Sequence, residues 1–503
     1  MDSFFFTDIP TWENGVWTTT SFSTQEDFAL FIKTLFLEPG KYEFDETSFV
    51  FAKEAKKYQK DGFYCEAAVK SRDYIEYWDA QKTRCRKGAF YKNKGKTWFL
   101  TREYYMWLNF LPINDKEKKK FDFPSVRDAQ YHMALYEFLA ELNYMHCAIL
   151  KKRQIASSYY HAAKLINLIW FEQTPILKIG ASLKGYVLDT WKFLAEYKNF
   201  LDLNTAWYRD MNPGKPLDWM QQIETTIQGS NRKTMAGLKG VLKGTSFEKD
   251  PTAGVGGPCT FFFHEEGGIA PHADKTLGYM KPALKSGLIT TGVFAIAGSV
   301  GDLSQCDPLR KMIIHPEAND IYPVESNLLD SKGTFGKSGL FIPEQWSMPP
   351  CVDEFGNSKV EEALKMLDAY FIQKKKDLSP EDYQLELSQH PRNIEEAFAT
   401  RTVSLFPSHL VAAQKRRIEE KEYITEFIDL SKNADGSFNV DKSNKIPVME
   451  FPVTKATEDK TGVIVMHEKP IPGAAWGTYY ASIDPVSQGK TTTSESLCSI
   501  YIY

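Results

Sequence analysis

Leu150-Lys151-Lys152-Arg153-Gln154-Ile155-Ala156-Ser157-Ser158-Tyr159 and, well downstream, Thr260-Phe261-Phe262-Phe263-His264-Glu265-Glu266-Gly267-Gly268 are the two stretches that decide the fold. The first reads as an apolar strand from Cys147 to Leu150, a short loop of basic and small residues, then a helix from about Ser158 to Phe171. The second is a greasy strand that stops at two adjacent carboxylates. A strand-to-helix loop can wrap phosphates with its backbone N–H groups, and a strand-end acid pair can hold Mg²⁺ and orient water. Together they are the minimal kit of a P-loop nucleotide hydrolase.

Outward from these stretches, helices alternate with buried strands, the pattern of an open, mostly parallel sheet. A helix over Arg127 to Leu142 leads into the loop strand. Ile176 to Ala181, the strand ending at Glu265, and Gly292 to Ala297 are the further core strands. Before Ser125 the chain is aromatic-rich α+β. Lys92-Asn93-Lys94-Gly95-Lys96 reads as a hairpin tip, and Thr101 caps a helix that Pro112 closes. Lys116 to Lys120 reads as a solvated charge cluster. After Pro350 the composition turns polar and helical, with amphipathic stretches at Glu361 to Lys375 and Ser408 to Glu420. The organisation expected is an accessory region 1–124, a P-loop core 125–350, a helical subdomain 351–470, and a further domain beginning at 471.

The chain of 503 residues is long enough for about two to four domains. Apolar content of 43% and charged content of 25% are those of a globular protein. A formal net charge of −4 gives no global electrostatic case for nucleic-acid binding, so such contacts must come from local patches. Seven cysteines without a C-x-x-C pair argue against a disulfide framework and for a reducing compartment. No leader-like start and no apolar run long enough for a bilayer is read, so the expectation is a soluble protein inside a cell.

The loop departs from G-x-x-x-x-G-K-[ST]. Ala156 stands at the last glycine and Ser157 at the lysine, and many basic turns look similar. Ala156 and Ser157 are nevertheless small enough to let N–H groups face a phosphate, and Ser158 offers a hydroxyl for Mg²⁺. The cation is expected from Lys151 or Lys152 at the start of the loop. Glu265 is expected to hold the metal and Glu266 to polarise water; the bland alternative is two solvated loop acids. His264 reads as a satisfied strand residue. Gly333-Thr334-Phe335-Gly336-Lys337-Ser338 ends in G-K-S, but it lacks the leading glycine, and Gly339-Leu340-Phe341-Ile342-Pro343 after it is extended.

Three further stretches complete a resemblance to the large terminase subunit of tailed bacteriophages, those of crAss-like phages included. Ala297-Gly298-Ser299 is similar to the family's coupling motif. Pro391-Arg392-Asn393-Ile394-Glu395-Glu396-Ala397-Phe398 resembles its P-x-x-x-E-E-A-F signature. Ala481-Ser482-Ile483-Asp484-Pro485, followed by strand-like Leu497 to Tyr503, resembles the first hairpin of its nuclease. The resemblance implies an α/β P-loop ATPase of the ASCE type with a helical subdomain and an RNase H-like nuclease. It implies a motor that packages double-stranded DNA using ATP and Mg²⁺. Implied partners are a portal protein on a procapsid, a small terminase subunit and copies of itself in a ring. The implied location is the host cytoplasm during virion assembly.

Carried onto this sequence, the resemblance makes Lys151, in the displaced-lysine register, with Lys152, Gln154, Ile155, Ala156, Ser157, Ser158 and Tyr159, the nucleotide loop. Arg153 becomes a γ-phosphate sensor, and Gln130 an adenine contact. Phe247 to Cys259 contains no arginine for a finger acting in trans, only Lys249; Arg232 is the nearest upstream. Asp484 would be the first ligand of a nuclease metal pair, Mg²⁺ or Mn²⁺, whose other carboxylates are expected beyond Tyr503. Two rivals remain: a DNA- or portal-binding scaffold without hydrolysis, motivated by the uncharged Ser157, and a helicase-type ATPase, which should lack the E-E-A-F signature.

Overall fold

The computed structural model describes residues 5–115, 119–209, 211, 217–221, 223–226, 233–248, 250–254, 256–287, 289–301, 303–399, 426–444, 464–467, 469–484 and 499–502. The chain divides into two units, Met1–His409 and Leu410–Tyr503.

In the first unit a seven-stranded sheet runs Leu340–Ile342, Cys147–Lys151, Val293–Gly298, Phe261–Glu265, Ile176–Ala181, Val241–Ser246, Asp218–Met220 from edge to edge. All neighbours are parallel except the last pair. The strand expected to carry the coupling residues thus lies between the loop strand and the acid strand. In a parallel sheet the carboxyl ends of the strands fall on one edge of the layer, here the ends at Lys151, Glu265 and Gly298.

Alternation along each strand sorts the residues onto two faces. Cys147, Ile149, Phe261, Phe263 and Ala295 enter one core, while Ala148, Leu150, Phe262, Phe294 and Ile296 enter another. Continuing the period puts Lys151 and Glu265 on the first face, at the ends of their strands. That face is covered by the helix Ser157–Phe171, which is almost wholly buried and carries a stripe of buried polar residues, Ser157, His161, Lys164 and Asn167, among its apolar ones.

The accessory region belongs to the same core. Its four-stranded sheet runs Val16–Thr20, Ile9–Glu13, Ala89–Asn93, Lys96–Leu100, and the expected hairpin turns at Lys94 and Gly95, both at positive φ. Thr101 accepts from Tyr104 N and starts the helix Arg102–Phe110, every residue of which is buried. Trp107 donates to the Tyr197 hydroxyl at 3.1 Å and packs edge-on to Tyr160. The aromatic richness therefore forms the packing behind the loop helix.

The helix Asp128–Leu142 starts at a buried carboxylate. Asp128 accepts from Gly40 N, Ser347 Oγ, and both the amide and hydroxyl of Ser358, pinning three distant segments together. The helices Val360–Asp377 and Pro380–Gln389 follow, with Ser379 capping the second. Helical character stops at Ala397 among the described residues. Ser408 to Glu420 lies outside them, as do residues 116–118 of the charge cluster. Gly336–Ser338 is a strand paired with Val324–Ser326, with no helix after it.

In the second unit, Glu426–Lys432 pairs antiparallel with Phe438–Lys442 and with Ile464–Met466, so part of the stretch read as helical is a small sheet. The reason is local: Asp435-Gly436 is a turn dipeptide, with Gly436 at positive φ, and apolar residues alternate on either side of it. Ala481–Asp484 pairs antiparallel with Ser499–Ile502.

Candidate nucleotide site

The loop expected to hold phosphates closes through two residues in the left-handed region, Gln154 (φ 62°) and Ala156 (φ 58°), neither a glycine. For an L-residue this costs about 1–2 kcal/mol each, a strain that persists only where surrounding contacts impose it. Ile155, buried between them, is one such contact. Its carbonyl accepts from Gln130 Nε2 at 3.1 Å. Ala156 is the N-cap of the loop helix and offers no side-chain cap, so the first-turn N–H groups keep their donors for another acceptor.

The loop and the acids meet. Ser158 Oγ donates to Glu265 Oε1 at 2.9 Å, and Thr190 Oγ1, from the helix Lys184–Asn204, donates to Glu265 Oε2 at 3.0 Å. Lys151 Nζ lies 3.6 Å from Glu266 Oε1. Glu265 is buried, and that burial pushes its carboxyl above the usual range; Lys151 opposes the shift and Glu266 adds to it. Glu266 is more open, its side chain 25% exposed, and takes φ 48° where the strand turns away.

Directly behind the acids the backbone is crowded. A Cβ on Gly268 would come within 1.7 Å of the Ser299 carbonyl oxygen, and one on Gly298 within 2.4 Å of Gly268 N. The turn after the acid pair therefore rests on Ala297-Gly298-Ser299 with no side chain between them. His264 points to the other face beside Phe247, and burial lowers its pKa to about 4.

Other residues of the expected set are placed differently. Lys152 turns toward the sheet edge, donating to the Glu344 carbonyl at 3.1 Å, with its ammonium 3.7 Å from Glu344 Oε1. Glu344 N in turn donates to the Pro391 carbonyl at 2.8 Å, so the loop and the E-E-A-F segment share one acid-bearing strut. Arg153 and Gln154 are exposed. The Tyr159 ring stacks on Phe193 at 3.9 Å. Gln130 is buried, and its Oε1 has no hydrogen-bond partner. Arg232 and Lys249 lie outside the described residues; Asp484 closes its strand, but its side chain is outside them.

The E-E-A-F segment also has a local explanation. Asn393 caps Ile394–Ala397 by accepting from Glu396 N at 2.8 Å, and the Glu396 carboxylate accepts from Arg392 N, one residue before the cap, at 2.8 Å. Ile394, Ala397 and Phe398 enter the sheet's second core. Sequence reasoning missed Thr190 and Glu344. Neither carries a local motif, and each reaches the site only through tertiary packing.

Among the described residues no group of three or more His, Cys, Asp and Glu is gathered to hold a metal, and no helix is long and apolar enough to cross a membrane. No family model and no curated protein matches the chain. Among solved structures, the large-terminase ATPase domain of Thermus phage P74-26 is similar over 49% of this chain and 88% of that one, at 6% identity and a TM-score of 0.32. A mutant of that domain gives the same figures. The large terminase of bacteriophage HK97 is similar over 63% of each chain, at 12% identity and a TM-score of 0.30.

Proposed function

We propose that the chain is an ATP-hydrolysing motor subunit that moves viral double-stranded DNA into a procapsid. The observation that carries the hydrolase part is the meeting of loop and acids: Ser158 on Glu265 at 2.9 Å, with Lys151 3.6 Å from Glu266. The DNA-packaging part rests on the resemblance of Ala297–Ser299, Pro391–Phe398 and the Asp484 hairpin to the terminase motifs.

The donor set fits Mg²⁺, which takes few protein oxygens and fills its octahedron with phosphate oxygens and water. Ser158 and Glu265 are the residues that would hold it, and when bound it would offset charge on the phosphates. The uncapped helix start and loop N–H groups cradle the phosphates. Lys151 supplies the ammonium that Ser157 does not, and it sits where a γ-phosphate and Glu266 can share it. Glu266, the more open of the two acids, orients and accepts a proton from the attacking water. Gln130 offers its unpartnered Oε1 to an exocyclic amino group such as that of adenine, while its Nε2 stays on the loop. The direct backbone contact of Gly268 with Ser299 gives a route by which a change at Glu266 reaches the neighbouring strand end, and the Lys152–Glu344–Pro391 strut gives one toward the helices.

The test is phosphate release by the purified chain with and without long double-stranded DNA. Hydrolysis that requires Mg²⁺ and rises with duplex DNA supports the proposal. Nucleotide binding without turnover would favour the scaffold, and stimulation by single strands alone the helicase type.

A further inference from the structure

Behind the phosphate loop lies a buried cluster of charge that the hydrolytic reading does not use. His161, four residues into the loop helix, is fully buried. Its Nδ1 is 2.8 Å from the Ser157 carbonyl oxygen and 3.1 Å from Ser157 Oγ, and its Nε2 is 2.6 Å from Glu137 Oε1. A carbonyl oxygen can only accept, so Nδ1 donates there, and Nε2 faces a carboxylate. That carboxylate is ionised: burial opposes it, but Lys164 and His161 hold the Glu137 pKa down to about 2.

The ring also reaches the acid strand. It stacks on Phe263 at 3.9 Å and 8° between planes, and Phe263 is two residues before Glu265 on the same face. His161 thus touches the residue before Ser158 and the strand that delivers Glu265. The other charges around it are those of Lys164, which contacts Glu137, Glu141 and Glu103, and of Arg102, which contacts Glu141, Glu172 and Glu103.

We infer that His161, braced by Glu137, is a positioning residue of the phosphate loop. It fixes the Ser157 turn so that Ser158 meets Glu265 where the triphosphate of a nucleotide binds. The inference rests on the nucleotide reading above. The helix alone does not need this bond, since residues at 157 and 161 are already joined by the backbone ladder; the imidazole adds a second restraint on a carbonyl at the strained end of the loop. Its bracing links the loop to the accessory region through Lys164, Glu103 and Arg102.

Two substitutions of similar size separate positioning from packing. His161→Asn puts an amide near the Nδ1 position and keeps the bond to Ser157; His161→Gln puts one near Nε2 and keeps the bond to Glu137. In the full chain, with Mg-ATP binding and kcat/KM measured on folded protein, His161→Gln should raise KM about threefold to tenfold, the net worth of one hydrogen bond. His161→Asn, which keeps the Ser157 bond and loses only the brace, should recover part of that loss. Equal effects of the two, or none, would overturn the inference while leaving the nucleotide reading intact; an unmodified chain that binds no Mg-ATP would overturn both. If substitutions at 161 do not fold, Glu137→Gln keeps the volume and decides: a raised KM supports the brace, and an unchanged KM overturns it.

Discussion

Thr190→Val removes one hydrogen bond and little else. Thr190 is buried on the helix Lys184–Asn204, and its Oγ1 donates to Glu265 Oε2 at 3.0 Å. Valine keeps the β-branch and replaces the hydroxyl with a methyl. The other carboxylate oxygen keeps its bond from Ser158, so Glu265 retains one of its two side-chain donors. A hydrogen bond to a charged group is worth about 1.5–3 kcal/mol. Lost from the folded unit, this corresponds to a melting temperature lower by ~2–4 °C. Lost from the geometry that holds Glu265 beside the loop, the same energy is roughly tenfold to a hundredfold in kcat/KM for ATP. Thr190→Ser retains the hydroxyl and should stay within about threefold of the parent. The assay is steady-state phosphate release across Mg-ATP concentrations, with melting curves on the same preparations. A Thr190→Val variant within about twofold of the parent in kcat/KM would refute the claim that Glu265 is held for nucleotide chemistry.

Lys151→Ala should weaken Mg-ATP binding or turnover at least about tenfold more than Lys152→Ala, because Lys151 lies on the acid pair and Lys152 is committed to Glu344; nucleotide titrations that find equal or reversed effects would place the cation wrongly. Gly268→Ala should cost about 1–3 kcal/mol or more through overpacking, since its Cβ would stand 1.7 Å from the Ser299 carbonyl oxygen. Melting curves and ATP turnover should both fall, and a stable, active variant would show that the two turns are not pressed together. Glu137 has its pKa lowered from 4.5 to about 2 in the folded chain. Its contribution to stability is therefore complete above about pH 4.5 and is lost as pH falls toward 2. The stability gap between the parent and Glu137→Gln, measured by denaturant titration, should be flat above that range and close below it; a gap that widens on acidification contradicts the assignment.

The loop and acid strand were legible because alternation and local chemistry coincide there. Phe261 and Phe263 share a face with Glu265, and the strand-to-helix turn ends in three short residues, Ala156-Ser157-Ser158. The central strands Cys147–Lys151, Ile176–Ala181, Phe261–Glu265 and Val293–Gly298 are apolar enough to stand out of the sequence. Val241–Ser246 is not: Lys243, Gly244 and Thr245 break its apolar run, and its place beside Ile176–Ala181 is fixed by pairing alone. Leu340–Ile342 read as extended, but nothing local says that it flanks the loop strand. The hairpin Ile9–Glu13 with Val16–Thr20 carried a usable signal, Asn14-Gly15, both at positive φ. Within the site, Thr190 and Glu344 were hidden because a mid-helix threonine and a loop glutamate have no distinguishing neighbours. Lys152 resembled Lys151 in sequence; both are buried, and only their partners, Glu344 for Lys152 and Glu266 for Lys151, separate their surroundings.

The central claim is that Glu265 and Glu266 divide the work at a Mg-ATP site, one holding and one activating. Glu266→Gln is the most direct probe, because it keeps size and hydrogen bonding while removing the base. Nucleotide binding and phosphate release should be measured on the same preparation. The account predicts Mg-ATP binding close to that of the parent, with hydrolysis reduced by about a hundredfold or more. Full turnover in Glu266→Gln, with binding unchanged, would contradict it.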